Sequence, residues 1–63
     1  MPIVIVEALE GRTVEQKRAL TKDITEAVMR DFKVPVEVVS VIIHDLPASN
    51  VCRGGTLYAD KKP

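Results

Sequence analysis

The residue of this chain with the most unusual chemical option is its second. The sequence opens Met1-Pro2-Ile3-Val4-Ile5-Val6, and an initiator methionine followed by a small residue such as proline is open to aminopeptidase trimming. Trimming exposes the Pro2 nitrogen as a secondary amine at the head of an apolar run. A free α-amino group titrates at roughly 8 in water. Burial among apolar side chains, or a neighbouring cation, disfavours its charged form. A sheltered Pro2 nitrogen is then a general base near neutral pH without any histidine. While Met1 stays attached, the same atom is an amide and is not basic.

Few other residues invite chemistry. Arg12 stands just ahead of an expected helix, where a cation opposes the helix dipole. A choice that costs stability there favours a role in a site over a chance surface charge. Ser40 offers a hydroxyl, either to a ligand or to a subunit contact. The lone His44 and lone Cys52 do not make a zinc site. His44 reads as a packed or rim residue, and Cys52, without an adjacent histidine, reads as an inert thiol. Asp45 and Asp60 read as surface carboxylates, and Glu10 as facing solvent. Gly54-Gly55 lacks the lysine and following helix of a phosphate loop and reads as a turn. No residues call for a metal ion or an organic cofactor.

The elements that must position these groups follow from the pattern. Ile3–Leu9 reads as a strand with four β-branched residues at its start. Ile3, Ile5 and Leu9 share one face, Val4, Val6 and Ala8 the other, so both faces are apolar, as in a strand covered on both sides. Gly11 permits a turn. Thr13 reads as a helix N-cap with Gln16 completing a capping box, and Glu15 suits the helix dipole. The helix is expected over Val14–Phe32, its apolar face formed by Leu20, Ile24, Ala27, Val28 and Phe32. Lys17, Arg18, Lys22, Glu26 and Arg30 are expected mostly outside, with Glu26 and Arg30 spaced to pair. Pro35 prevents continuation, and residues 35–38 form a short turn. Residues 39–46 read as a second strand, Val39, Val41 and Ile43 on one face and Ser40, Ile42, His44 and Leu46 on the other. Residues 47–50 form a loop and residues 51–58 a short hairpin bending at Gly54-Gly55. Residues 59–63 are expected to fray. Strand, helix and strand make an α/β (α+β) βαβ unit with parallel strands and a right-handed crossover.

Size turns this pattern into an assembly problem. A chain of 63 residues makes a single domain, 1–63, that is marginal alone. It has one cysteine and so no intrachain disulfide, yet 46% of its residues are hydrophobic. One helix covers one face of a two-stranded sheet, and two strands alone are marginal in water. The second apolar face therefore requires another subunit. The formal net charge is zero, with nine acidic and nine basic side chains interspersed, which argues against a nucleic-acid partner. Phe32 and Tyr58 are too few aromatics for base stacking. No apolar run approaches membrane-spanning length and no signal-peptide pattern appears, so a cytoplasmic protein without a membrane partner is expected.

Taken together, Met1-Pro2-Ile3, Leu9-Glu10-Gly11-Arg12-Thr13 followed by Glu15-Gln16-Lys17, Pro35, Val41-Ile42-Ile43 and Gly54-Gly55 resemble the 4-oxalocrotonate tautomerase family over nearly the whole chain. The resemblance implies a βαβ subunit with a C-terminal hairpin, dimers whose sheets join, and a hexamer built as a trimer of dimers. It implies Pro2 as catalytic base after Met1 removal and Arg12 as the residue that binds a substrate carboxylate. It implies pockets completed by neighbouring subunits, no cofactor, and service in the catabolism of aromatic compounds. The chain departs from the family's best-studied members in two places. Ser40 stands where they carry a second arginine, and Val51 where they carry an aromatic residue. Preference for a dicarboxylate is thereby in question, and Arg53, two residues past Val51, is the candidate to replace the missing cation. The substrate-binding set is then Arg12, Ser40, Val51 and Arg53.

Three functional readings follow. The first is a tautomerase that moves a proton within a 2-hydroxy-dienoate or similar 2-oxo acid, through Pro2 and Arg12. The second is a dehalogenase or decarboxylase on the same scaffold, which needs a further arginine or carboxylate near Pro2 that the early strand lacks beyond Glu7. The third is a non-catalytic oligomeric βαβ module.

Overall fold

The computed structural model describes residues 1–61. Strand β1 (Ile3–Leu9) leads through a glycine turn into helix α1 (Val14–Phe32), and the chain returns to strand β2 (Ser40–Leu46). β1 and β2 pair in parallel, with Ile3 opposite Ser40, Ile5 opposite Ile42, Glu7 opposite His44 and Leu9 opposite Leu46. The ladder runs one step further at each end: the Ser40 amide donates to the Pro2 carbonyl at 3.0 Å, and the Glu10 amide to the Leu46 carbonyl at 2.9 Å.

Local chemistry fixes both ends of α1. The Thr13 hydroxyl accepts from the Gln16 amide at 3.1 Å, and the Gln16 side chain accepts from the Thr13 amide at 2.9 Å. This is the expected capping box, and a cap of this kind is worth about 1 kcal/mol. Lys33 closes the helix in the left-handed conformation, and Pro35 follows. Val36–Val38 then forms a single 3-10 turn. Its last amide bond, from Val39 to the Val36 carbonyl, occupies Val39, so β2 starts at Ser40 rather than at the expected residue 39.

The C-terminal arm starts beyond β2 with a 3-10 turn at Ala48–Asn50 where a loop was expected. Strands β3 (Cys52–Arg53) and β4 (Thr56–Leu57) form the hairpin. Gly54 and Gly55 at its bend both have positive φ, 63° and 83°, as a tight two-residue hairpin turn requires. The Tyr58 amide donates to the Val51 carbonyl at 2.8 Å, closing the hairpin's base. The tail does not fray throughout: Tyr58–Asp60 forms a further 3-10 turn that packs back on Ala48–Asn50. Lys61 is tied to this turn, its amide donating to the Tyr58 carbonyl at 3.2 Å, and the expectation for residues 62 and 63 lies outside the described residues.

One helix does cover one sheet face. Val4, Val6 and Ala8 of β1 and Val41 and Ile43 of β2 are half-buried beneath α1. The opposite face is open, with Ile3, Ile5 and Ile42 at 54%, 55% and 44% exposure. No described residue is fully buried. The helix face is covered only in part: Ile24, Ala27 and Val28 are half-buried, while Leu20 and Phe32 stay exposed. The radius of gyration is 15.0 Å, against about 11 Å for a compact chain of this length. The surface of 4982 Å² exceeds by roughly a quarter the ~4000 Å² of a compact monomer of this mass. The chain is thus more extended than a compact monomer of its length, with one apolar sheet face uncovered.

Candidate functional site

Pro2 is half-buried at the head of β1. Its carbonyl is held by the Ser40 amide, so Pro2 and Ser40 sit together at the starting end of the parallel pair. Met1 before it is 88% exposed. The open apolar face begins at the next residue, Ile3.

Arg12 lies beyond the other end of β1. The seven residues of the strand span about 23 Å at the usual rise per residue, so Pro2 and Arg12 of one subunit are too far apart to touch one small molecule. Gly11 sets the arginine's place. The chain leaves the ladder at Glu10, turns at Gly11 with φ of 117°, and reaches the Thr13 cap within two residues. A Cβ at Gly11 would meet no neighbouring atom, so it is the backbone conformation that selects glycine there. Arg12 is exposed and enters no ion pair with another described residue.

Beside Arg12 a cavity of about 200 Å³ opens between the start of α1 and the end of the sheet. Val6, Ala8, Ile43 and Leu20 form its apolar lining, and Arg12, Lys17 and Asp45 add charge. Lys17 Nζ meets Asp45 Oδ2 at 2.6 Å across this cavity, tying the first turns of α1 to β2. Asp45 lies at the surface as expected but carries a tie that was not foreseen, and Lys17 departs from its expected outer position. Lys17 faces the sheet rather than solvent, and Asp45 is the anchor of a helix–sheet tie. The alternation of β2 carried the signal for Asp45: it continues the row Val41, Ile43 that α1 covers. Nothing in the sequence pairs it with Lys17, 28 positions away.

The remaining charges also settle differently. Arg30 pairs with its neighbour Asp31 rather than with Glu26. The Arg30 hydrogen bond, and then its charge, holds the Asp31 carboxyl below the ordinary aspartate range. On the open sheet face His44 Nδ1 lies 2.8 Å from Glu7 Oε1, a cross-strand pair that the register Glu7 opposite His44 explains.

Val51 and Arg53 belong to the arm that leaves the sheet past Leu46. Val51 is half-buried at the hairpin base, and Arg53 is exposed, its guanidinium 5.9 Å from the centre of the Tyr58 ring. Lys61 lies over the same ring at 4.4 Å. The five sequence-derived site residues thus divide into two groups. Pro2 and Ser40 stand at the head of the sheet, and Arg12, Val51 and Arg53 lie at or beyond its far end. A subunit holds both groups but does not bring them together.

The sequence matches the family model for tautomerase enzymes over residues 2–61. A probable tautomerase of Streptococcus pneumoniae is 53% identical over 47 residues, covering 75% of this chain and 78% of the relative. The crystal structure of a 4-oxalocrotonate tautomerase homologue superposes with a TM-score of 0.95 at 36% identity, covering 100% of both chains. A heterohexameric 4-oxalocrotonate tautomerase from Chloroflexus aurantiacus superposes with a TM-score of 0.89 at 32% identity, covering 98% of this chain and 100% of the other.

Proposed function

The chain belongs to the tautomerase family, and on that premise we propose that it is a cofactor-independent isomerase of the 4-oxalocrotonate tautomerase type. Its substrate is a 2-hydroxy-dienoate or a similar enol of a 2-oxo acid. The Pro2 nitrogen, freed by loss of Met1, takes the enol hydroxyl proton. The resulting dienolate carries the negative charge over oxygen and carbon. The protonated amine returns the proton to carbon, giving the conjugated ketone, so one O–H bond is exchanged for one C–H bond with no change in oxidation state. Arg12 binds the carboxylate and stabilises the dienolate charge by its own.

One observation carries this reading: Pro2 is half-buried, with its carbonyl fixed to Ser40 at the edge of an apolar face, while Met1 projects into solvent. Removing Met1 leaves an amine already held in place and sheltered once that face is covered. The separation of Pro2 from Arg12 along β1 supports a site shared between subunits, Pro2 and Ser40 from one and Arg12 from another. Val51 supplies an apolar wall and Arg53 a second cation in place of the one Ser40 lacks. The assembly in this reading is a homo-oligomer of single-domain subunits, a hexamer arranged as a trimer of dimers. A cytoplasmic setting and a part in aromatic catabolism belong to the same proposal.

The test pairs two readouts on one sample: intact mass, and ketonisation of phenylenolpyruvate or 2-hydroxymuconate followed in the ultraviolet. The expected result is a chain lacking Met1 whose activity falls by at least about a hundredfold in Pro2→Ala, the usual contribution of a general base. Full activity in Pro2→Ala, or in a chain that retains Met1, rejects the proline mechanism.

A further inference from the structure

The Lys17–Asp45 tie has a consequence for Arg12. All three residues line one cavity, and only one of them is an anion. Asp45 is 44% exposed in its side chain and faces the cavity that Arg12 also lines. A carboxylate so placed competes with a substrate carboxylate for the guanidinium. Lys17 prevents this. Its ammonium sits 2.6 Å from Asp45 Oδ2, and its side chain is the less exposed of the two, at 29%. One turn of α1 behind the Thr13 cap, Lys17 is held by its own backbone, its amide donating to the Thr13 carbonyl at 3.1 Å. The nearest carboxylates in sequence are placed differently: Glu15 pairs with Arg18, and neither Glu15 nor Glu10 lines the cavity that Arg12 and Asp45 share. Arg12 is left with its charge uncommitted.

We propose that Lys17 is a positioning residue for substrate binding: by occupying Asp45 it keeps the Arg12 guanidinium free for the substrate carboxylate. The inference rests on the role given to Arg12 above and assigns one to Lys17 and Asp45. It differs from a merely structural tie in a way that mutation separates. A tie that only fastens α1 to β2 is broken equally from either end. A tie that restrains a competitor matters only while the competitor is present.

The experiment measures kcat and KM for phenylenolpyruvate ketonisation with Lys17→Met, Asp45→Asn, the double variant, Lys17→Arg and Arg12→Ala, each checked for fold by circular dichroism. Freeing Asp45 to pair with Arg12 at a partly exposed site raises KM about three- to fivefold in Lys17→Met, with kcat held within about twofold. Asp45→Asn keeps the wild-type KM, the double variant returns to it, and Lys17→Arg preserves it. If Lys17→Met does not fold, Lys17→Gln with and without Asp45→Asn carries the same comparison. Equal KM increases in Lys17→Met and Asp45→Asn without recovery in the double variant overturn the proposal, as does an unchanged KM in Lys17→Met. Arg12→Ala separates the two levels. If it leaves KM unchanged, the carboxylate role of Arg12 itself fails. If it raises KM while Lys17→Met does not, only the present inference fails.

Discussion

Replacing Ile5 by aspartate should dissociate the protein. Ile5 stands at the middle of the open sheet face, 55% exposed, with Ile42 opposite it at 44% and Ile3 beside it at 54%. Burying an isoleucine side chain completely stabilises by about 1.5–3 kcal/mol. With roughly half of each side chain still in water, covering the three contributes about 2–4 kcal/mol per subunit by the same scale. An aspartate at position 5 removes Ile5's share and must itself be desolvated, a penalty of several kcal/mol. It also lies two residues from Glu7 on the same face, which adds like-charge repulsion. A loss of about 4 kcal/mol weakens association by roughly a thousandfold. Light scattering and sedimentation across a dilution series, with circular dichroism alongside, measure the effect. Wild type should hold its oligomeric mass at micromolar concentration, and Ile5→Asp should fall to the mass of one chain with loss of secondary structure. Lys22→Glu, on the exposed side of α1, is the control and should behave as wild type. A folded wild-type monomer of 6.9 kDa would refute the packing argument, and so would an Ile5→Asp variant that assembles normally.

Two further perturbations test local claims. Gly11→Ala places a side chain at φ of 117° with free space around it, so its cost is backbone strain alone. About 1–3 kcal/mol is expected, read as a lower melting temperature, together with a higher KM because the turn that delivers Arg12 must shift. Asp31, whose carboxyl is lowered by the Arg30 hydrogen bond and charge, should titrate in carbon-detected NMR below the ordinary aspartate range and move up in Arg30→Ala. A depressed carboxyl stabilises the folded state above its unfolded pKa and loses that contribution as pH falls through the folded one. Any contribution from this fully exposed pair therefore disappears only on acidification.

The fold was legible because its signals are local. Four β-branched residues in a row mark β1, Thr13 and Gln16 mark the start of α1, and Pro35 marks where it must have ended. The uncovered apolar face was legible too, since alternation placed Ile3 and Ile5 opposite Val4 and Val6 and one helix covers one side only. What escaped the sequence depends on which residues meet across the fold. Lys17 and Asp45 meet only because the crossover returns β2 beneath the first turns of α1. Arg30 chose Asp31 over Glu26 although the fourfold spacing favoured the latter, since a neighbour within reach needs no helix geometry. Leu20 and Phe32 belong to the expected apolar face but stay exposed, Leu20 because it borders the open cavity beside the sheet and Phe32 because it ends the helix. The residues proposed for the site were named from the sequence, and parallel strands were expected, but the pairing of Ile3 with Ser40 that sets Pro2 beside Ser40 came from the structure.

Subunit mixing tests the shared site most directly. Pro2→Ala and Arg12→Ala variants are each assayed alone, then unfolded together, refolded as a mixture and assayed again. If a site draws Pro2 from one subunit and Arg12 from another, random assembly restores about a quarter of the sites to wild-type composition, and activity should rise to about that fraction from near zero. Mixed assemblies of full oligomeric mass that remain as inactive as their parents would contradict the account.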